Sequence, residues 1–304
     1  MQTIVPESQS HWLELRSKDV TSTEVAALFG CSPYATLFEL WHRKRDKAVV
    51  EIEPSERMRW GNRLQDAIAF GIAEDEGWNI RRMVEYVRLE DQRMGSSFDF
   101  AIEGGGILEV KNVDALAYRE GWLQDGEDIE APPHIELQVQ HQLAVSGRSQ
   151  AFIGALIGGN TVKLIKRQPD EKIIGAIKDR VEQFWKSIDK GQEPSPDFAK
   201  DADFIAKLYG YAEAGKVIDL RKDQDVAKLA AQHKSLGEQI KALEAERDAI
   251  KSRLIIQIGD AERVLGDGFS ISAGVVKATS VSYERPAYRN FRINWRKAKG
   301  ESDV

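Results

Sequence analysis

Between Met58 and Gly77 the apolar residues Leu64, Ala67, Ile68 and Ile72 recur at three- and four-residue spacing, which predicts one long amphipathic helix. Trp12 to Arg16 reads as the end of a shorter helix. Thr21-Ser22-Thr23-Glu24 has the form of a capping box, with Thr21 as the cap and Glu24 three residues on. The helix it opens runs through Val25, Leu28 and Phe29 to Gly30, and Ser32-Pro33 opens the next, carrying Leu37, Leu40 and Trp41. Ile135–Ser146 and Ile173–Ile188 keep the helical period. Alternation predicts strands around Val84–Leu89, Gly95–Ile102 and Gly106–Asn112. Ala151–Leu156 and Thr161–Ile165 form a hairpin pattern around Gly158-Gly159-Asn160. Helices, three strands, a helix, two strands and a helix in that order predict an α/β domain with a mixed sheet, ending near Asp197 in Gln192-Glu193-Pro194-Ser195-Pro196-Asp197.

The pattern then changes. Over 222–258, Val226, Leu229, Leu236, Ile240, Leu243, Ile250 and Leu254 follow a heptad, interrupted by His233 and Arg247. A helix over that span is about 50 Å long, suited to a helical hairpin or docking arm across 198–258. In 259–304, alternation over Phe269, Ile271, Val276, Ala278, Val281 and Tyr283 reads as a small β tail. It carries Lys277, Arg285, Arg289, Arg292 and Arg296, with Tyr288, Phe291 and Trp295 interleaved. Those aromatics suit stacking on bases, or equally packing against the arm while the cations solvate it.

Composition narrows the function. The 304 residues are 42% hydrophobic and carry a net charge of −6, so any nucleic-acid contact must use a local basic track. One cysteine, Cys31, excludes an internal disulfide framework and a cysteine-based zinc site; its neighbourhood predicts a small buried residue. No apolar run approaches the roughly 18 residues of a membrane span. Met1 to Glu7 lacks the apolar core of a signal peptide, so a soluble cytoplasmic location is expected, with no membrane partner.

The chemistry concentrates at Asp99, Glu109 and Lys111. The Gly104-Gly105-Gly106 turn sets two strands side by side; Ile107, Glu109 and Lys111 share one face, Leu108 and Val110 the other. Two hard carboxylates suit Mg²⁺. A lysine beside them suits a developing phosphate charge, the equipment of a metal-dependent phosphodiesterase. Glu-x-Lys on a strand is also the form of a solvated ion pair. Gln138 and Gln142 share a helix face and suit phosphate oxygens, or form a polar surface stripe. Ser96 and Ser97 offer hydroxyls, or are turn residues. Arg16 with Thr21-Ser22-Thr23 offers a second phosphate site at a helix N-terminus, or the threonine is only a cap.

The order of these pieces is recognisable. Leu15-Arg16, Thr21-Ser22-Thr23-Glu24-Val25-Ala26, Ser32-Pro33-Tyr34-Ala35-Thr36 and Glu39-Leu40-Trp41 resemble the start of YqaJ-type viral recombinase nucleases. Met58-Arg59-Trp60-Gly61-Asn62-Arg63-Leu64 is similar to their next helix. Asp99 with Glu109-Val110-Lys111 resembles the PD-(D/E)XK core of the lambda exonuclease superfamily, and Gln138-Val139-Gln140-His141-Gln142-Leu143-Ala144-Val145-Ser146-Gly147 their final motif. The match spans about 8–190; beyond 200 it is looser. It implies a restriction-endonuclease-like α/β core over 1–197. The implied activity is an exonuclease on double-stranded DNA ends, 5′-to-3′, leaving 3′ overhangs for phage-type recombination in a bacterial host. By the resemblance Asp99, Glu109 and the Val110 carbonyl hold Mg²⁺, with Mn²⁺ an alternative, and Lys111 orients or activates water. A 5′-phosphate pocket falls on Arg16, Thr23, Ser97 and Gln138. A trimeric ring and a single-strand annealing partner are also implied. Gln65 stands where family members carry a glutamate. Three readings follow: tolerated variation with the amide facing the metal, an acid from elsewhere such as Glu74, or an inactivated chain. Two rival functions remain: an endonuclease or flap nuclease of the same superfamily, and a non-catalytic DNA-end-binding module.

Overall fold

The computed structural model describes residues 1–47, 54–125, 128–284 and 287–295; Arg285 and Arg296 lie outside them. The chain divides into two compact units, Met1–Phe204 and Ile205–Val304. The first runs β1 (Gln2–Ile4), α1 (Gln9–Lys18), β2 (Val20–Thr21), α2 (Val25–Leu28), α3 (Leu37–Arg45), α4 (Glu56–Glu76), β3 (Ile80–Arg82), β4 (Tyr86–Leu89), β5 (Met94–Ser97), β6 (Phe100–Ile102) and β7 (Gly106–Val113). It continues α5 (Ala115–Gly121), β8 (Leu123–Asp125), β9 (Asp128–Glu130), α6 (Pro133–Ser146), β10 (Gln150–Ile157), β11 (Thr161–Arg167) and α7 (Glu171–Asp189); α8 (Ala202–Leu208) spans the boundary after Phe204.

A five-stranded mixed sheet orders β11-β10-β7-β6-β3, with β7 and β10 parallel and the other pairs antiparallel. The parallel pair needs a long crossover, and α5 through α6 supplies it. A second sheet orders β1-β4-β5-β2, its β2–β5 pair parallel. The alternation along β7 is what ties the sheet to its two helical layers. Ile107 joins Val139 and Leu143 of α6 and Ile177 of α7 in one core; Leu108 and Val110 join Ile68 and Ile72 of α4 in the other. Burying each such side chain contributes about 1.5–3 kcal/mol. Gly154 lets α4 close on the sheet: a Cβ there would lie 2.5 Å from Ile72 Cδ1.

Local chemistry sets the helix ends. Ser55 Oγ accepts from Met58 N at the start of α4, and Gly77 ends it at φ +67°, a conformation that suits glycine. Asp170 caps α7 through Lys172 N and Ile173 N.

Four expectations need correction. Thr21 does not cap a helix: it lies in β2, its hydroxyl donates to Glu24 Oε2, and α2 begins only at Val25. Ser32-Pro33 forms a turn; the cap of α3 is Thr36, whose Oγ1 accepts from Glu39 N. The run 95–102 is two strands, β5 and β6, in different sheets, because the chain leaves one sheet at Phe98-Asp99. Among the described residues of the tail, strand pairing is confined to β12 (Arg263–Gly266) with β13 (Phe269–Ser272); Val276, Ala278, Val281 and Tyr283 are in no strand. Short β1, β3 and α5 carry too few residues for a period to show.

In the second unit α9 (Gln224–Ile258) is one unbroken helix of 35 residues, capped by Asp223, with no buried residue. Among the described residues, no helix is long and apolar enough to cross a membrane.

Candidate active site

β7 carries Glu109 and Lys111 to the face covered by α6. Glu109 is almost fully buried, and its two oxygens are shared among three donors. Oε1 accepts from Lys111 Nζ at 2.6 Å and from Gln138 Nε2 at 2.6 Å; Oε2 accepts from Gln142 Nε2 at 2.7 Å. Lys111 Nζ also donates to Gln138 Oε1 at 3.0 Å. The glutamines are four residues apart on α6, so one helix face grips both edges of the carboxylate. The pair is therefore not a solvated strand-face contact, and the glutamines are not a surface stripe.

Asp99 arrives from the loop between β5 and β6, its Oδ2 accepting from Val110 N at 2.8 Å. Burial, then the charge of Glu109, push its carboxyl up to about 7, with Lys111, the Val110 N–H and Arg82 acting the other way. Burial works against the Lys111 ammonium, but Glu109 and Asp99 outweigh it and hold its pKa above the ordinary lysine value. Lys111 is thus a cation at neutral pH, a donor and not a base. His134 lies nearby; burial and the Lys111 charge pull its imidazole down, and its ring meets Tyr34 edge-on at 5.9 Å.

Two carboxylates crowded into a buried site with hard-oxygen donors fit a divalent cation. Gln142 Oε1 is buried with no hydrogen-bond partner, while Nε2 of the same amide donates to Glu109. A carboxylate has about four lone-pair positions, so Glu109 keeps acceptor capacity beyond its three bonds. Among the described residues, no group of three or more His, Cys, Asp or Glu side chains is gathered to hold a metal.

A second set of bonds joins the cluster to α1. Gln142 Nε2 also reaches Ser97 O at 3.3 Å, and Ser97 Oγ accepts from Trp12 Nε1 at 2.8 Å. The Arg16 guanidinium stacks on the Trp12 ring 4.5 Å from its centroid and donates to Thr23 Oγ1 at 3.2 Å. Arg16, Thr23, Ser97, Gln138, Gln142, Glu109 and Lys111 therefore form one connected chain of contacts. The Ser96 hydroxyl, buried inside the fold, lies 2.9 Å from Ser22 Oγ and 2.9 Å from Ser97 O, the carbonyl that Gln142 also reaches.

Next to Thr23 in the chain, Glu24 forms an ion pair whose cation, Lys44, is buried while the carboxylate is partly exposed. Glu24 Oε2 accepts from Lys44 Nζ at 2.7 Å, Thr21 Oγ1 at 2.7 Å and Thr21 N at 3.0 Å; Lys44 Nζ also donates to Arg16 O at 2.7 Å. Burial alone would raise the Glu24 carboxyl, but Lys44 and Arg16 outweigh it and hold it at about 2. Burial in turn draws the Lys44 ammonium below its usual value.

Gln65 is not among the hydrogen-bonded partners of Glu109. Its Oε1 accepts from Arg82 Nη1 at 3.0 Å, and the same guanidinium pairs with Asp66 and lies over the Phe100 ring. Cys31 is half-buried, its thiol donating weakly to Ala26 O. Sequence reading did not single out Trp12, Arg82 or His134. An indole eighty-five residues from the serine it touches has no local signal.

Residues 11–149 match the model of the YqaJ-like viral recombinase domain. The uncharacterized protein YqaJ of Bacillus subtilis (strain 168) is 29% identical over 261 residues, covering 84% of this chain and 80% of that one. An alkaline exonuclease (LHK-Exo) from Laribacter hongkongensis superposes with a TM-score of 0.48 at 17% identity, over 65% of this chain and 100% of that one. A phage related exonuclease from Haemophilus somnus 129PT gives 0.45 at 13% identity, over 57% and 94%.

Proposed function

We propose that this YqaJ-like domain is a metal-dependent exonuclease that hydrolyses linear double-stranded DNA from its ends, in the 5′-to-3′ direction. On this reading it leaves 3′ overhangs for recombination, for a single-strand annealing protein to take up. The observation that carries the reading is Glu109 itself: a buried carboxylate fixed by Lys111, Gln138 and Gln142, with Asp99 alongside and Arg16–Thr23 joined to it through Trp12 and Ser97.

Asp99, Glu109 and the Val110 carbonyl would hold Mg²⁺ or Mn²⁺. Such an ion, when bound, supplies Lewis acidity and lowers the pKa of its water. The other roles belong to the protein. Gln138 and Gln142 keep Glu109 in one rotamer. Lys111 donates a charged hydrogen bond to a water or to the phosphate oxygen where charge develops. Arg16 and the Thr23 hydroxyl receive a terminal 5′-phosphate, the arginine by charge and the threonine by donation. The Gln65 amide oxygen is engaged by Arg82 Nη1, the same guanidinium whose charge acts on Asp99.

The test compares linear duplex with and without 5′-phosphates against closed circular duplex, in Mg²⁺. The reading expects digestion of linear DNA, faster with the phosphate, and none of the closed circle. Nicking or linearising the circle would support the endonuclease alternative; binding without turnover would support the end-binding module.

A further inference from the structure

The face of α6 that grips Glu109 does not end at Gln138. His134, one turn nearer the helix start, continues the four-residue spacing of Gln142 and Gln138, about 6 Å further along the axis. The contacts along this stripe keep an order. At the Gln142 end, Gln142 reaches Ser97 O and the neighbouring His141 meets Val20 O, three residues before Thr23. In the middle, Gln138 meets Glu109 and Lys111. At the far end His134 meets Tyr34, in the turn between α2 and α3. The Tyr34 side of the stripe is thus the side away from Ser97 and Thr23. Tyr34 is 76% exposed, yet it is held in place. Ser32 Oγ accepts from Tyr34 N at 3.1 Å and from Ala35 N at 3.3 Å, which fixes the turn. The half-buried His134 ring meets the tyrosine ring edge-on, with the planes 85° apart. Whichever ring offers its edge, at least one flat face of Tyr34 stays open to water. Both rings lie within electrostatic reach of Lys111.

We propose that Tyr34 is a stacking platform for the nucleobase on the 3′ side of the scissile phosphate, with His134 as the brace that holds its ring. This placement rests on the exonuclease reading of Lys111 and of the Arg16–Thr23 pocket. With the terminal 5′-phosphate at Arg16 and Thr23 and the phosphate to be cut beside Lys111, the strand continues past Gln138 toward His134 and Tyr34. The base that arrives there belongs to the second nucleotide. An aromatic face accepts every base, because each has a π-face, so the contact steadies the strand without reading its sequence. That suits an enzyme that must advance through any sequence. The ring carries the contact, and the tyrosine hydroxyl is not needed for it.

The test measures binding of the full chain, with Mg²⁺ left out so that nothing is cut. The probe is a 5′-phosphorylated duplex whose other end is closed by a hairpin loop, with its second nucleotide either intact or abasic. For the parent, removing that base should weaken binding about 5- to 100-fold, the range of one base–aromatic stack. Tyr34→Ala should weaken binding of the intact duplex by a similar factor and lose little more when the base is removed. Tyr34→Phe should stay close to the parent, and His134→Ala should fall between the parent and Tyr34→Ala. Circular dichroism of each variant checks that the fold is kept, as the exposure of Tyr34 leads one to expect. Equal binding of the intact duplex by the parent and Tyr34→Ala overturns the proposal. So does an abasic penalty that persists in full in Tyr34→Ala, because the base is then held elsewhere. So does a Tyr34→Phe loss as large as that of Tyr34→Ala, which assigns the contact to the hydroxyl. Each of these leaves the exonuclease reading standing. A parent that neither binds phosphorylated ends nor digests linear duplex in Mg²⁺ overturns both.

Discussion

Replacing Lys44 with methionine should unfold the first unit more readily by about 3–5 kcal/mol. Lys44 is 5% exposed, and its ammonium is the cation that holds the partly exposed Glu24 carboxylate charged. Breaking a buried pair from one side leaves an uncompensated charge, the expensive case. The pair as a whole is worth less. The fall of Glu24 from 4.5 to about 2 corresponds to about 3 kcal/mol in favour of the charged form, and the burial of Lys44 opposes it. Glu24→Gln with Lys44→Met should therefore cost clearly less than Lys44→Met alone. The sign of the pH dependence follows. A carboxyl depressed in the folded state stabilises fully above its unfolded value near 4.5 and loses that contribution as pH falls toward 2. Parent stability should decline across that window, and the Glu24→Gln variant should decline less. Urea unfolding followed by tryptophan fluorescence reads this directly, since six of the seven tryptophans lie before residue 205. A Lys44→Met variant within about 0.5 kcal/mol of the parent at pH 7 would refute the reasoning. So would a double variant weaker than the single.

Gly95→Ala should destabilise by about 1–3 kcal/mol, because its Cβ would sit 2.0 Å from Tyr86 Oη and 2.7 Å from Asp19 Oδ2 inside a buried hydrogen-bond set; an unchanged melting temperature would contradict this. His141 is buried, its imidazole held by burial at about 4 against the usual 6.5, with Nε2 bonded to Val20 O. The unfolded chain takes up that proton first, so stability should fall as pH drops from 6.5 toward 4, by at most about 3 kcal/mol, and the slope should flatten in His141→Gln when urea midpoints are compared across the window. Trp12→Phe keeps a ring under Arg16 but removes the donor to Ser97 Oγ. If Arg16 and Thr23 receive the terminal phosphate, the variant should raise KM for 5′-phosphorylated ends about fivefold, the equivalent of about 1 kcal/mol, with little change in kcat; equal KM values would detach this contact from substrate binding.

Much of the frame was readable because long elements repeat their period. α4, α6 and α7 show helical spacing over more than three turns, and β7 with the β10–β11 hairpin shows alternation bounded by glycine turns. Asp99, Glu109, Lys111, Gln138 and Gln142 were legible as residue types on shared faces. What joins them was not. The split at Phe98-Asp99 leaves no local mark, since β5 and β6 alternate alike yet belong to different sheets. Trp12 to Ser97, Lys44 to Glu24 and Arg82 to Gln65 are tertiary contacts between segments 17 to 85 residues apart. The capping-box pattern at Thr21–Glu24 misled for a related reason: Glu24 does bond Thr21 N, as such a box requires, but tertiary pairing with Lys44 draws the carboxylate inward, and the chain there is strand and turn.

The central claim is that Lys111, clamped to Glu109, stabilises the charge that develops on the phosphate, and it is tested most directly by one rate. Single-turnover hydrolysis of linear 5′-phosphorylated duplex in Mg²⁺ should be about 10²–10³-fold slower in Lys111→Ala than in the parent, with DNA-end binding retained. Equal rates in the two proteins would contradict it.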